Sequence, residues 1–155
     1  MSIIEGALKL LKTRVFVQIA TANRHCRPNC APKFLLKISG RQVYLVDYSI
    51  GTTFENLKEN PEISLSFIDT DSLLGYRLNG KAEIIQSGPL YQECLNELHK
   101  REIDLTVERV VKSVHDGKKY GEFELGVKEK FLVYKITLED GSEITPHGEI
   151  KRENT

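Results

Sequence analysis

Cysteine is scarce in this 155-residue sequence, the net charge is zero, and no apolar run is long. Each shortage excludes a class of protein. Three cysteines, Cys26, Cys30 and Cys94, are too few, and odd in number, for a disulfide framework, which fits a cytoplasmic chain. Lysine plus arginine and aspartate plus glutamate stand at 22 each, so there is no general attraction to nucleic acid or to an anionic membrane, and recognition by charge must be local. The longest apolar stretches fall far short of the roughly 18 residues a membrane span needs. Residues 1–12 lack the basic start of a secretory signal, and Glu5 and Lys9 interrupt their apolar spacing. Neither nucleic acid nor membrane is therefore expected as a partner. A Walker loop, a Rossmann glycine fingerprint and an HExxH helix are also missing, and His25, His99, His115 and His147 are scattered. His25, Cys26 and Cys30 are close in sequence, but Pro28 and Asn29 lead into a strand rather than the tight turn of a closed zinc site, so no metal is expected.

What is present reads as one domain over residues 1–155, with 40% apolar and 28% charged residues. Ile4, Ala7, Leu8 and Leu11 form the stripe of an N-terminal helix, with Ser2 and Glu5 spaced as its capping box. Residues 14–22 are β-branched and aromatic with apolar side chains at both parities, which predicts a strand covered on both faces. Residues 30–38 and 42–47 read as a hairpin about Ser39, Gly40 and Arg41, and Pro32 implies an edge or a bulge. Residues 62–68 and 75–85 alternate as strands with one wet face. Two helices are expected near 89–101 and 105–115, from the stripes Tyr91, Cys94, Leu95, Leu98 and Val107, Val110, Val111, Val114. Residues 116–119 read as loop and 130–138 as a last strand, followed by a turn at Glu139, Asp140 and Gly141 and a loose tail from about 140. Consecutive strands without βαβ alternation point to a mainly β, six-stranded antiparallel barrel with peripheral helices.

The segment richest in chemistry is residues 47–61, where a strand ends, a turn of Gly51 and hydroxyls follows, and a helix over 52–60 runs until Pro61 stops it. A helix start presents unpaired N–H groups and a positive dipole end, which with the Thr52 and Thr53 hydroxyls suits a phosphate. Thr52 and Glu55 also match a capping box, a reading that needs no ligand. Lys33 sits between Ala31 and Leu35 on one face of its strand, either reaching out at an edge or facing an anion.

The ordered segments PNCAPKFLLKI, QVYLVD, GTTFENLKENPEISLSF and GYRLNGKAEI, covering roughly residues 14–85, resemble the core of the pyridoxamine 5'-phosphate oxidase-like FMN-binding split barrels. The resemblance implies a split β-barrel that binds FMN at the interface of a homodimer, with the phosphate near the start of the short helix. At that place the true oxidases typically carry an Arg-Lys pair, whereas here stand Thr52 and Thr53, so Lys33 and Arg77 become the candidates for the missing charge. Backbone groups of Val46, Asp47 and Tyr48 are expected along the flavin ring. The implied function is an FMN-dependent oxidoreductase acting on a small molecule, with an electron donor such as NADH or NADPH. The flavin would carry the redox chemistry, and no catalytic acid or base is assigned. The tail over residues 143–155 lacks the basic and histidine arrangement for pyridoxamine 5'-phosphate itself. The alternatives are a flavin, haem or deazaflavin binding protein of the same fold without catalysis, or a structural module that has lost its cofactor.

Overall fold

The computed structural model describes residues 1–48, 50–116 and 131–154, the side chains of 103–116 excepted. Helix α1 (Ile3–Leu11) is followed by β1 (Phe16–Ala22), β2 (Pro28–Ser39), β3 (Gln42–Asp47), α2 (Thr52–Glu59), β4 (Glu62–Ile68), β5 (Gly75–Ile85), α3 (Pro89–Asp116), β6 (Leu132–Ile144) and β7 (Ile150–Asn154). All strand pairs are antiparallel in the order β3-β2-β1-β4-β5-β6-β7, and an added β3–β6 pairing closes the first six into a barrel. Closure covers the edges of β3 and β6 that an open six-stranded sheet would present, and leaves the first half of β2 as an edge. No helix among the described residues is long and apolar enough to cross a membrane.

The alternation read from the sequence fills the barrel: Val17, Ile19, Leu45, Leu65, Leu78 and Ile136 all point inward and are buried. Helix α1 forms with its expected Ser2–Glu5 capping box and buries Ile4, Ala7, Leu8 and Leu11 against that core. Each fully buried side chain of this size stabilises by about 1.5–3 kcal/mol, which is why the stripe matters more than helix propensity. A second apolar cluster lies outside the barrel wall, where Phe34, Leu36, Tyr44 and Val46 meet Cys94 and Leu98 of α3. Pro32 lies in the half of β2 that pairs only with β1, so its missing N–H faces an edge.

Four expectations change. The two helices near 89–101 and 105–115 are one continuous helix, because no proline or glycine interrupts residues 90–116; the Val107, Val110, Val111 and Val114 stripe and residues 117–119 of the expected loop lie outside what the structure describes. The turn at Glu139, Asp140 and Gly141 is instead part of β6. Gly141 sits in a close approach to α1, where a Cβ would lie 3.0 Å from Ile4 Cγ1 and 3.1 Å from Leu78 Cδ2, so those side chains would have to give way. The chain turns later, at Gly148 in the left-handed region with φ 83°. The tail expected to be loose therefore returns as β7, pairing with β6 beyond the end of β3. It is clamped by Glu153, whose carboxylate accepts from Ile4 N at 3.1 Å, in the first turn of α1, and from Arg41 Nη2 at 3.5 Å.

The fourth change concerns β1. Its inward side is buried, but the outward side, Phe16, Gln18 and Ala20, is exposed. Apolar residues at both parities thus mark an exposed outer face of the barrel rather than a second layer of its own core.

Candidate functional site

Helix α2 packs against the barrel end where β1 finishes and β2 begins, and the meeting is largely polar. Asn29 Nδ2 donates to Thr53 Oγ1 at 3.3 Å, Asn56 Nδ2 donates to Thr21 Oγ1 at 3.1 Å, and Asn60 Nδ2 donates to the Ala22 carbonyl at 3.3 Å. Thr21, Thr53 and Asn56 are all buried. Only Leu57 and, partly, Phe54 tie the helix to the barrel core.

The capping box expected from Thr52 and Glu55 does not form. Gly51 is the N-cap, in a conformation with φ −154° and ψ −134°, and no side chain among the described residues caps the helix. Thr52 is the first helical residue, exposed, and Thr53 turns beneath it. The first-turn N–H groups therefore keep the donor capacity and dipole field that a cap would have used.

Beside this uncapped start lies a hollow of about 450 Å³ lined by Asn23, Arg27, Pro28, Asn29, Thr52 and Asn56. Arg27 comes from the turn between β1 and β2. That turn is held by Asn23 Oδ1, which accepts from His25 N at 2.9 Å and Arg27 N at 3.0 Å, while Cys26 takes the left-handed region at φ 63°. The hollow is thus bordered by one arginine, three asparagines and a threonine at a helix start, residue types whose side chains suit an anion. Sequence reasoning missed Arg27, Asn29 and Asn56. The usable signal was the run Arg24, His25, Arg27 in a polar turn, whose nearness to Thr52 depends on how the hairpin end folds under α2.

The other expected site residues are dispersed. Lys33 points into the barrel end and is buried, its Nζ 2.7 Å from Asp47 Oδ1, and Tyr134 donates its hydroxyl to Asp47 Oδ2 at 2.7 Å. Three strands thus meet at one internal carboxylate; burial, then the bond to Asp47, raise the Tyr134 phenol above its ordinary pKa. Lys33 does not line the hollow. Val46 pairs with both β2 and β6, and Asp47 with β6, so their backbones belong to the barrel seam. Tyr48, the first residue past it, donates to Glu102 Oε1 of α3 at 2.9 Å and sits among Phe34 and Phe131. Burial and then that bond raise its phenol as well. Arg77 lies on the outward face of β5, its Nη2 3.3 Å from Ser142 Oγ, away from the α2 hollow. The structure therefore joins Thr52 and Thr53 at one place, Lys33 and Asp47 at another, and leaves Arg77 apart from both.

The outward face around Arg77 is arranged in rows. Gln18, Ser66, Arg77, Ser142 and Arg152 lie side by side on successive strands. The next row, Ile68, Gly75, Ile144 and Ile150, is apolar and exposed, with Phe16 of β1 at the same end and 61% exposed. A second hollow of about 450 Å³ opens on this face over Ala20, Ala22, Ile63, Ser64 and Asn79, and meets the first at Pro28.

Comparison with solved structures places this arrangement among known folds. A Clostridium acetobutylicum protein described as related to general stress protein 26, of the pyridoxinephosphate oxidase family, superposes with a TM-score of 0.65 at 19% identity, over 97% of this chain and 93% of that one. A pyridoxamine 5'-phosphate oxidase-related, FMN-binding protein of Nostoc punctiforme gives 0.60 at 13% identity, over 100% and 97%. HutZ, described as a haem storage protein of Vibrio cholerae, gives 0.62 at 16% identity, over 94% and 95%. Curated protein sequences give no match. The sequence pattern of the pyridoxamine 5'-phosphate oxidase family matches residues 4–141, from the first turn of α1 to Gly141 in β6, and the chain belongs to that family.

Proposed function

We propose that this chain is a cytoplasmic FMN-binding flavoprotein that works as a homodimer, an oxidoreductase acting on a small molecule. The observation that carries the cofactor is the hollow at the uncapped start of α2. Arg27, the Thr52 hydroxyl and the free first-turn N–H groups are the donor set a phosphate monoester requires. They fit although the expected basic pair is replaced by threonines, because Arg27 brings a charge from the neighbouring turn. Bound FMN would supply hydride and electron transfer, with NADH or NADPH as donor, while the protein binds and orients it. Tyr48, past the end of the β3 ladder, is the residue of the expected Val46, Asp47, Tyr48 trio best placed to offer backbone groups to the ring. The test is titration of the purified protein with FMN, followed by reduction with NADH and NADPH. Saturable binding with flavin absorbance, bleached by either donor, is the expected result, and a protein that ignores FMN sinks the reading.

A second reading rests on the same hollow. One guanidinium with neutral donors pairs with a carboxylate as well as with a phosphate, and the fold is shared with a protein described as storing haem. A red protein with a haem spectrum would favour it over flavin.

The dimer rests on the outward face. Phe16, Ile68, Ile144 and Ile150 are 61%, 50%, 44% and 56% exposed on one end of a continuous sheet, more apolar surface than an isolated protomer has reason to present. A second copy would cover it. Phe16→Glu is therefore expected to raise the dimer dissociation constant at least about tenfold, about 1.4 kcal/mol, measured by sizing with light scattering. A wild-type protein that elutes as a monomer at micromolar concentration would remove the dimer.

A further inference from the structure

The two parts of the anion hollow belong to different elements. Arg27 rides on the β1–β2 turn and Thr52 on α2. Their separation is not set by apolar packing, since the helix face toward the hairpin, Thr53, Asn56 and Asn60, is polar. It is set by amides. Asn56 is 4% exposed, lines the hollow, and donates from α2 to Thr21 of β1; Asn29 also lines the hollow and donates from β2 to Thr53 of α2. The two bonds run in opposite directions between helix and hairpin, so together they fix both the height of α2 and its rotation. The Asn56–Thr21 bond is buried and the Asn29–Thr53 bond half-buried, so both are directional and the first is costly to break.

We propose that Asn56, with Asn29, is a positioning residue that makes the hollow selective for a phosphate monoester over the same molecule without its phosphate. The inference rests on the reading of the hollow as a phosphate site. An asparagine suits this place for two reasons. Its amide donates to Thr21 while adding no charge to the wall. An aspartate of the same shape would keep that contact, with the Thr21 hydroxyl donating instead, and would set a negative charge beside the anion.

The experiment measures affinity for FMN and for riboflavin in the wild type, Asn56→Ala and Asn56→Asp. The quantity read is the preference for FMN over riboflavin, which partial unfolding does not alter because it weakens both ligands equally. The wild type is expected to prefer FMN at least about tenfold, the scale of one hydrogen bond to a charged group. Asn56→Ala should lose most of that preference, and Asn56→Asp should abolish it. Should the wild type prefer FMN and both variants retain its full preference, the positioning role is wrong and the phosphate site stands. A wild type that binds both flavins equally, or neither, overturns the phosphate site and this inference with it. If neither Asn56 variant folds, Asn29→Ala, at a less buried position, gives the same reading: retained preference overturns the inference and lost preference supports it.

Discussion

Lys33→Ala is expected to destabilise the fold by about 3–5 kcal/mol, the cost of removing one partner from a buried ion pair. The Lys33 and Asp47 side chains are 6% and 0% exposed and meet at 2.7 Å. Without the ammonium, the Asp47 carboxylate keeps other partners, the neutral Tyr134 hydroxyl on Oδ2 among them, but loses the Lys33 charge in a site water does not reach freely. The loss falls at the seam where β2, β3 and β6 join, so it should appear as a lower urea midpoint with little change in slope. Lys33→Met separates the contributions, because it keeps much of the apolar stem and removes only the charge. If the charge dominates, Met is nearly as damaging as Ala. A loss below about 1 kcal/mol in both variants would place the pair in the exposed class, where ion pairs contribute little. Per folded molecule, FMN affinity should change much less than with a substitution in the hollow. This separates the internal role of Lys33 from the phosphate contact that its sequence position suggests.

Arg27→Ala is expected to have the converse profile. Arg27 is exposed and on a turn held by Asn23 rather than by its own side chain, so the melting temperature should hardly move. FMN affinity should fall by about 1.5–3 kcal/mol, roughly ten- to 150-fold, the range for hydrogen bonds to a charged group. Arg27→Lys should recover only part of this, since an ammonium restores charge without the two-pronged guanidinium geometry. Because the site is open, raising the salt concentration should weaken the wild type more than the alanine variant. Quenching of FMN fluorescence measures all three. Unchanged affinity in Arg27→Ala would move the anion elsewhere, and Arg77 on the outward face would be the next basic residue to test.

The two experiments also separate fold from site in a way the sequence does not. A lysine flanked by Ala31 and Leu35 on one strand face reads equally as a residue facing an anion and as one reaching out of a core. The structure adds that the internal anion is the protein's own Asp47. The threonine pair has a similar history. Thr52 and Glu55 have capping-box spacing, yet the chain enters α2 through Gly51, and Thr52 becomes the first residue of the helix instead of its cap. The spacing is local, but the cap depends on the direction from which β3 delivers the chain. A one-residue shift in helix start turned a feature that needs no ligand into an open donor site.

By itself the sequence determined the succession of strands along the chain through β5 and their antiparallel character, the β2–β3 hairpin, the capped and amphipathic α1, the stop of α2 before Pro61, and the inward set that fills the barrel. These are written in periods of two and 3.6 and in turn residues, signals that act over a few neighbours. Tertiary structure alone decided what lies opposite each side chain. It paired Lys33 with Asp47 and Tyr134, brought Arg27 from a turn to the side of α2, used Gly141 for contact with α1 rather than for a turn, and returned the tail as β7 under the hold of Glu153. The physical reason is common to all four. Periodicity states which face a side chain takes, but its partner is fixed by chain closure across dozens of residues, where burial and charge compensation are settled together.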